Sequence, residues 1–269
     1  MKPYPETPPG MIREHDGAVL RLRFNRPERR NSLTDPIVYA LTDTVDAAAS
    51  DESVRVIHLE GEGEHFCSGF DLAERTPGPE RPRVGSVHRR MNGHVNRLIP
   101  AMLSCQTPIV CSARGWVIGL GLDILLATDF AVVSEDARLW APFTTFAFTP
   151  DSGATWLIPR LAGVARAREM LMLGEKVSGS DAASWGLVHR AVPADDLDAV
   201  SRELVDRLAA APTVAVGLTK LLLYRALTAD LNSHLADESW AMEVASRSDD
   251  FREYGQANKE KREPRFTGR

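Results

Sequence analysis

Four short apolar runs, each rich in β-branched residues, recur along the first half of the chain. They are Val19–Phe24, Val54–Glu60, Ile109–Ala113 and Phe130–Ser134. Runs of this length and composition predict buried β-strands. Helical patterns separate them, and strands that alternate with helices indicate βαβ units and a largely parallel sheet.

Two segments between these runs carry helical periodicity. In Leu33–Ala49 the apolar residues recur at intervals of three and four, which places them on one helix face. Thr34 is a suitable N-cap for this helix, and Pro36 suits its first turn. A second helix is predicted at Leu120–Ala127, so the first half of the chain is expected to form an α/β layer structure.

From about Pro193 onward the pattern becomes helical, and no strand is predicted after about Arg190. Three amphipathic stretches follow, at Asp195–Ala211, Thr213–Thr228 and Leu231–Ser246. We therefore expect an α/β core over residues 1–195 and a C-terminal helical region over residues 196–269.

One segment interrupts the regular pattern. Arg75–Gly85 holds three prolines, two glycines and three arginines. Such a composition is typical of a solvated surface loop, and it equally suits a lid or loop that faces a substrate.

Composition narrows the class of protein. The 269 residues are 43% hydrophobic and 26% charged, which is ordinary for a globular chain. The formal net charge of -5 gives no electrostatic footprint for nucleic acid. No apolar run is long enough to span a membrane, and the Pro-rich N-terminus lacks the apolar core of a signal peptide. The three cysteines are an odd number without C-x-x-C spacing, so a disulfide framework is not expected and a cytoplasmic protein is.

Several common catalytic motifs are missing from the sequence. It contains no phosphate-binding or dinucleotide-binding glycine motif and no nucleophile elbow. The scattered histidines show no metal-ligand spacing, so no metal site is expected. Cys67 and Ser68 stand beside Gly69, where they either act as a nucleophile or simply allow a tight turn, and we favour the second interpretation.

Two glycine-bearing turns follow consecutive core strands. His65–Leu72 follows one strand, and Gly115–Asp123 follows the next and leads into a helix. Ligands of α/β sheets bind at the carboxyl edge of the strands, and the start of a helix has unpaired N–H groups that favour negative charge. The two turns therefore predict a site for a developing oxyanion.

These turns belong to a series of motifs that resembles the crotonase superfamily, the enoyl-CoA hydratases and isomerases. Asn25–Leu33 reads N-R-P-E-R-R-N-S-L, and Phe66–Leu72 reads F-C-S-G-F-D-L. Further matches lie at Pro150–Leu161, Ala182–Val188 and Arg265–Gly268. Pro150–Leu161 and the C-terminal end are most similar to the isomerase branch that includes the epoxyphenylacetyl-CoA isomerase. The resemblance implies an α/β fold of crotonase-like ββα repeats in a spiral core, with a C-terminal helical region.

The resemblance also assigns the oxyanion donors. They are the backbone N–H groups of Phe70 and Leu120, and the oxygen that they hold is the thioester carbonyl of an acyl-CoA. Because the backbone provides the donors, a bulky side chain is tolerated at both positions. Holding the negative charge makes the α-proton acidic enough for a carboxylate to remove.

The acids beside these donors decide the reaction. By resemblance, hydratases use two glutamates, of which the first aligns with Asp123 and the second with Phe143, where the acid is missing. Several isomerases carry an acid at the position of Asp151, and a related dehalogenase uses an aspartate there as its nucleophile. One carboxylate suffices to move a proton between two carbons, so Asp151 is the candidate proton shuttle. Its alternative interpretation is an N-cap for a helix at Ala154–Leu161.

The CoA moiety needs its own binding groups. Basic side chains in the first motif are candidates for its phosphates, although an exposed turn explains each of them equally well. The resemblance adds residues around the first turn for the adenine, and a C-terminal basic and aromatic pair that closes the pocket. The candidate substrate-binding residues are Arg26, Arg29, Arg30, Ser68, Asp71, Leu72, Phe143, Lys259 and Phe266.

The sequence thus predicts an enoyl-CoA isomerase with Asp151 as proton shuttle. A hydratase that uses Asp123, a weakly catalytic acyl-CoA-binding homologue, and a hydrolase or dehalogenase with Asp151 as nucleophile are the alternatives. Coenzyme A is part of the substrate, and no other cofactor is expected. The resemblance implies a homotrimer or a hexamer that assembles through the C-terminal helices, with no nucleic-acid or membrane partner.

Overall fold

Six strands form the larger of two sheets in the computed structural model, which describes residues 2–75, 83–91 and 96–269. The order is β1-β2-β3-β4-β6-β9, and every neighbouring pair is parallel except β1 and β2. The strands are β1 (Met11–Asp16), β2 (Val19–Phe24), β3 (Val56–Gly61), β4 (Ile109–Ala113), β6 (Phe130–Ser134) and β9 (Arg190–Val192). The predicted parallel sheet is confirmed.

A second sheet contains three short strands. They are β5 (Trp116–Ile118), β7 (Arg138–Trp140) and β8 (Lys176–Ser178). A strand of the large sheet is followed by a strand of the small sheet and then by a helix, first in β4-β5-α4 and again in β6-β7-α5. This is the predicted ββα repeat. The three-residue strands were not predicted, because a run that short shows no period-two pattern.

Helices pack around the sheets and form the C-terminal part of the chain. The first predicted helix is confirmed, with Thr34 at its N-cap position and Pro36 in its first turn. The helices are α1 (Asp35–Ala48), α2 (Ser86–Arg90), α3 (Asn96–Ser104), α4 (Leu120–Leu126), α5 (Ala154–Met172), α6 (Gly179–Ser184), α7 (Leu197–Ala209), α8 (Thr213–Ala226), α9 (Leu231–Ala245) and α10 (Asp249–Glu260). α5 is interrupted at Gly163, which has a φ of 80°. The Pro- and Arg-rich segment Arg75–Gly85 falls largely on residues 76–82, outside the described residues.

The main core lies where α1 covers the large sheet. Leu20, Leu22 and Phe24 of β2 and Ile37 and Leu41 of α1 are almost completely buried in one cluster. Burying a side chain of this size stabilises a fold by about 1.5–3 kcal/mol relative to leaving it exposed. This core fixes the carboxyl ends of the strands, from which the functional turns start.

The C-terminal helices divide into one that belongs to the core and others that lie outside it. α7 lies beyond the expected boundary at residue 195, yet its Val205 packs in one cluster with Val19, Val56 and Val110 of the large sheet. Apolar side chains of the later helices face outward, among them Leu231, which is 70% exposed, and Trp240, which is 66% exposed. Within the described residues, no helix combines the length and apolar character needed to cross a bilayer.

A buried ion pair fastens α8 to the sheet. Lys220 Nζ lies 2.8 Å from Asp129 Oδ2, and both side chains are largely buried. The same carboxylate oxygen accepts the Ile109 N–H at 2.8 Å, while the ammonium group also donates to the Thr107 carbonyl at 3.3 Å. Burial raises the pKa of Asp129, and Lys220 opposes that rise. Each of these two buried charges is therefore stabilised mainly by the opposite charge of its partner.

Replacing Lys220 with methionine is expected to lower the free energy of unfolding by about 3 kcal/mol, because it leaves the Asp129 charge buried without its partner. Urea unfolding at pH 7 measures this loss. The double variant Lys220→Met with Asp129→Asn is the control, since it removes both charges and should recover much of the stability. An unchanged urea midpoint in the single variant would show that the pair is dispensable.

Candidate active site

The first glycine-bearing turn is clamped between two other parts of the chain. The Leu33 N–H donates to the Gly69 carbonyl, and the Asp71 N–H donates to the Leu33 carbonyl, both at 2.8 Å. On the other side, the Ile118 N–H donates to the Cys67 carbonyl at 2.9 Å. Gly69 has a φ of +86°, a conformation that side chains disfavour. The backbone at Phe70 is therefore held rigidly from both sides.

The second turn lies directly against the first. A Cβ atom added to Gly69 would stand only 2.8 Å from the Ile118 carbonyl oxygen and 3.6 Å from the Leu120 nitrogen. One added to Gly121 would stand 2.7 Å from the Cys67 sulfur. These close approaches explain the glycines, because no larger residue fits between the two turns. Leu120 is the first residue of α4, so its N–H has no carbonyl of a preceding helical turn to bond.

A cavity of about 70 Å³ opens between these turns and the segment before α5. Five predicted site residues line it: Phe70, Leu72, Leu120, Phe143 and Asp151. The structure thus brings both expected donors, one expected acid and two expected substrate contacts to one place. They come from positions spread over about 80 residues of the sequence. Phe70 and Leu72 follow β3 at the carboxyl edge of the large sheet, and Leu120 begins α4.

Aromatic side chains form one wall of this cavity. Phe143, Phe146 and Phe148 all line it. The Phe143 and Phe148 rings meet edge to face at 5.8 Å between centroids, and the Phe146 and Phe148 rings stack at 6.2 Å. Phe143 occupies the position that the resemblance gives to the second hydratase glutamate, so the wall offers a ring there in place of a carboxylate.

Asp151 is exposed and faces two cavities. It lines the cavity with the donors and also a second, mainly apolar cavity of about 390 Å³. The second cavity lies between α3 and the start of α5, with Ile99 and Trp156 among its lining residues. α5 begins at Ala154 with Gly153 as its N-cap residue. The N-cap interpretation of Asp151 is therefore wrong, because Asp151 lies two residues before the cap.

Asp123 is completely buried beside this cavity. Its Oδ2 accepts a hydrogen bond from Ser152 Oγ at 2.5 Å, and its Oδ1 is buried without a hydrogen-bond partner among the described residues. Burial raises the pKa of Asp123 to about 7, and the nearby charge of Asp151 adds to this, while hydrogen bonds from Ser152 and the Ala154 N–H oppose it. Asp123 therefore combines a hydrogen-bonding partner with a raised pKa, the two ways in which a buried carboxyl is accommodated.

Ser152 is a site residue that the sequence did not reveal. Its side chain is buried, it lines both cavities next to Asp151, and it carries the hydrogen bond to Asp123. A serine before a helix start ordinarily indicates a cap or a turn. Its partner lies 29 residues away in the sequence, and no local pattern announces that pairing.

The candidate phosphate-binding groups separate into two sets. Arg26 donates to the Asp71 carboxylate at 3.1 Å and to the Ser32 carbonyl at 2.8 Å, so Arg26 and Asp71 stabilise the first turn together. Burial raises the pKa of Asp71, but the hydrogen bonds from Ser32 and Arg26 outweigh it and hold that pKa below its usual value. Both side chains are therefore already engaged within the protein.

The other set lies on the surface beside the first turn. Arg29 and Arg30 are exposed. The Ser68 N–H donates to the Arg30 carbonyl at 2.9 Å, and the Ser68 hydroxyl donates to the Arg29 carbonyl at 3.3 Å. The backbone of both arginines is thus held next to the segment that leads to Phe70, and neither guanidinium group forms an ion pair with another described residue.

The predicted C-terminal contacts lie elsewhere in the chain. The Phe266 carbonyl accepts a hydrogen bond from Arg55, which precedes β3 and so lies at the amino-terminal edge of the sheet. The cavity lies at the opposite, carboxyl edge. Lys259 is exposed near the end of α10. The structure therefore does not bring Phe266 to the cavity of its own chain, because the C-terminal segment is bound to the other end of the sheet.

A thiol nucleophile in the first turn is disfavoured. Cys67 is fully buried, and burial raises the pKa of its thiol to about 12. A thiol with that pKa stays protonated at neutral pH and is a poor nucleophile. Cys67 instead fills the space against α4, in agreement with its interpretation as a small residue in a tight turn.

Comparison with known proteins agrees with this geometry. The family described as enoyl-CoA hydratase/isomerase matches residues 14–269. The chain is 34% identical over 254 residues to the 1,2-epoxyphenylacetyl-CoA isomerase of Escherichia coli, with 93% of this chain and 95% of that protein covered. It is 28% identical to the trans-2-decenoyl-acyl-carrier-protein isomerase of Streptococcus mutans, over 94% and 96% of the two chains. The chain belongs to the enoyl-CoA hydratase/isomerase family, within the crotonase superfamily.

The fold comparison gives the same result. The crystal structure of an enoyl-CoA hydratase from Bacillus anthracis matches with a TM-score of 0.89 at 29% identity, covering 97% of this chain and all of that chain. The predicted crotonase-like fold is thereby confirmed. Isomerases and a hydratase both occur among these relatives. Family membership therefore identifies an enzyme of the crotonase superfamily, and the type of reaction depends on the acidic residues at the site.

Proposed function

We propose that the protein is an enoyl-CoA isomerase that moves a double bond from C3 to C2 of an acyl-CoA. The Asp151 carboxylate takes a proton from C2, and the electron pair moves into the thioester carbonyl. The N–H groups of Phe70 and Leu120 hold the resulting oxyanion. The protonated Asp151 then returns the proton to C4, the double bond forms between C2 and C3, and the carboxylate is restored.

The observation that carries this proposal is the placement of the exposed Asp151 carboxyl beside both donors. Phe70, Leu120 and Asp151 line one small cavity, and Asp151 also borders the larger apolar cavity. An acyl chain that runs from the first cavity into the second passes Asp151 on its way. Successive carbons then come within reach of the same carboxyl group, which is what a proton shift between C2 and C4 requires.

Two features argue against hydration. A hydratase holds water between two carboxylates, and here Phe143 provides a ring at one of the two positions. The other acid, Asp123, is completely buried and hydrogen-bonded to Ser152. It is absent from the described residues that line the cavity, so it has no direct access to a water molecule there.

The acyl-CoA enters this proposal with its phosphates near Arg29 and Arg30. These exposed guanidinium groups suit a phosphate, which binds Arg in bidentate fashion. Ser68, Asp71 and Leu72 lie between them and the cavity along the first turn, where the resemblance expects the adenine. Arg26 supports this turn through Asp71 and Ser32, so its proposed part in binding is indirect.

A spectrophotometric assay tests the proposal. A 3-enoyl-CoA is expected to give the conjugated 2-enoyl-CoA, while crotonyl-CoA in water should yield little 3-hydroxy product. Rapid hydration with no double-bond shift would overturn the proposed function. Tight acyl-CoA binding without turnover over a range of chain lengths would instead indicate a weakly catalytic homologue.

The exposed apolar side chains of the C-terminal helices support an oligomer. Leu231 and Trp240 on α9 belong to a set of large apolar residues on α8, α9 and α10 that face outward. Such a concentration exceeds the isolated exposed apolar residues of an ordinary surface and is typical of an interaction site. Together with the resemblance, they favour a homotrimer or a hexamer.

Sedimentation is expected to give three or six copies of the 29.6 kDa chain. Replacing Leu231 and Trp240 together with glutamate should shift the protein to smaller species, because charged side chains oppose burial in an interface. Glu52→Lys, in the exposed turn between α1 and β3, provides a charge-changing control away from these helices. A wild-type protein that sediments as a monomer at micromolar concentration would contradict the proposed assembly.

A further inference from the structure

The buried carboxyl of Asp123 joins the two halves of the site. Asp123 lies in the first turn of α4, the helix that begins with Leu120. It accepts a hydrogen bond from Ser152 Oγ at 2.5 Å, and the nearby Ala154 N–H opposes the rise of its pKa. Ser152 directly follows Asp151. One carboxyl group therefore ties the helix that provides an oxyanion donor to the turn that provides the base.

The negative charge of Asp123 also interacts with that of Asp151, the proposed base. Asp151 is the charged residue, among those described, whose negative charge disfavours ionisation of Asp123. This interaction is mutual, so an ionised Asp123 favours proton uptake by Asp151. Cys67, which packs against the same turn of α4, stays uncharged because burial raises its pKa to about 12. α4 also packs against β5 and α5. Trp116–Ile118 of β5 carries no charge, and no charged side chain of α5 is among the groups that shift the pKa of Asp123.

We infer that Asp123 is a positioning residue: through Ser152 it fixes the orientation of Asp151 relative to the Leu120 donor, and its negative charge makes Asp151 a stronger base. This inference rests on the proposed role of Asp151 as the base. It explains why an acid persists at a position that is shut off from the cavity. It differs from the hydratase interpretation, in which Asp123 itself acts on water.

The inference predicts a particular pH dependence. Burial raises the pKa of Asp123 to about 7, so its charge is absent at pH 6 and present at pH 8. The rate of proton removal should therefore rise through about pH 7 in the wild-type protein. Asn at this position keeps an acceptor oxygen for Ser152 but carries no charge, so Asp123→Asn should lose this rise while keeping the turn in place.

Exchange of the α-protons of a saturated acyl-CoA in deuterium oxide measures the base directly, without a double-bond shift. At pH 8, Asp123→Asn is expected to slow the exchange by about tenfold, which corresponds to about 1.4 kcal/mol in the barrier. At pH 6 it should match the wild type within about twofold, and KM should change little at either pH. Ser152→Ala is the matched variant: it cuts the link but keeps the charge, so exchange should slow at both pH values and retain its rise.

Stability provides a second readout that does not depend on turnover. A buried carboxyl with a raised pKa contributes stability below its unfolded pKa, and this is lost as the pH rises through about 7. Asp123→Asn should therefore raise the urea midpoint relative to the wild type most at pH 8, and by progressively less as the pH falls toward about 4. This outcome supports the buried charge on which the inference depends.

An Asp123→Asn protein whose exchange rate rises through pH 7 like the wild type would overturn the inference. The proposed isomerisation fails on a different result, namely α-proton exchange without conversion of a 3-enoyl-CoA. Absence of exchange in the wild-type protein at every pH would contradict both the inference and the proposed isomerisation, because Asp151 would then not act as a base.

Discussion

Replacing Asp151 with asparagine is expected to lower kcat for the conversion of a 3-enoyl-CoA to a 2-enoyl-CoA by roughly 10³-fold. A positioned general base contributes about 10²- to 10⁴-fold to a proton transfer, and here one carboxyl performs both transfers. Asn has nearly the same shape but cannot accept the proton. Steady-state kinetics with the purified variant measure the loss.

Binding should survive this substitution. Asp151 is exposed and lies two residues before the N-cap of α5, and asparagine keeps its size, so the variant should fold. A saturated acyl-CoA is therefore expected to bind the variant with a Kd close to that of the wild type. Asp136→Asn, at an exposed aspartate between β6 and β7, is the control and should leave kcat unchanged. Full isomerase activity in Asp151→Asn would eliminate this carboxyl as the shuttle.

Removing the second oxyanion donor should be nearly as damaging. Leu120→Pro deletes the N–H at the first position of α4, where proline is otherwise well tolerated. Losing one donor of this kind raises the barrier by about 3–4 kcal/mol, which corresponds to about 10²- to 10³-fold in kcat. The substitution tests the backbone group itself, which ordinary side-chain variants leave in place.

Leu120→Ala is the matched control, because it shortens the same buried side chain but keeps the N–H. It is expected to lose some stability and to retain most of its activity. Circular dichroism and acyl-CoA binding establish that both variants fold. Equal kcat values for the proline and alanine variants would show that the Leu120 N–H does not hold the oxyanion.

The strands of the large sheet could be predicted because local pattern and final environment agree there. Val19–Phe24, Ile109–Ala113 and Phe130–Ser134 are found with the expected bounds, since a buried parallel strand needs a continuous apolar run. β5, β7 and β8 could not be predicted, because three residues carry too little pattern. Their pairing depends on the large sheet having formed beside them.

The polar side chains were harder to assign, because a charge in a sequence does not reveal its partner. Arg26 and Asp71 were both expected to contact the substrate, yet they bind each other across 45 residues of sequence. Lys220 and Asp129 form a buried pair that no motif indicated. Phe266 lies at the opposite edge of the sheet from the cavity, because its backbone is bound to Arg55.

The sequence by itself determined the two glycine turns, their order after consecutive strands, and a phenylalanine at position 143, where the resemblance places the second hydratase glutamate. These are local properties, since glycine alone permits the backbone approach at Gly69 and residue identity alone decides whether a carboxyl exists. Only the tertiary structure decided which remaining acid reaches the cavity. The packing of α4 against the start of α5 buries Asp123 under Ser152 and leaves Asp151 exposed at the junction of two cavities. Burial and side-chain direction depend on contacts between distant segments, which no local pattern encodes.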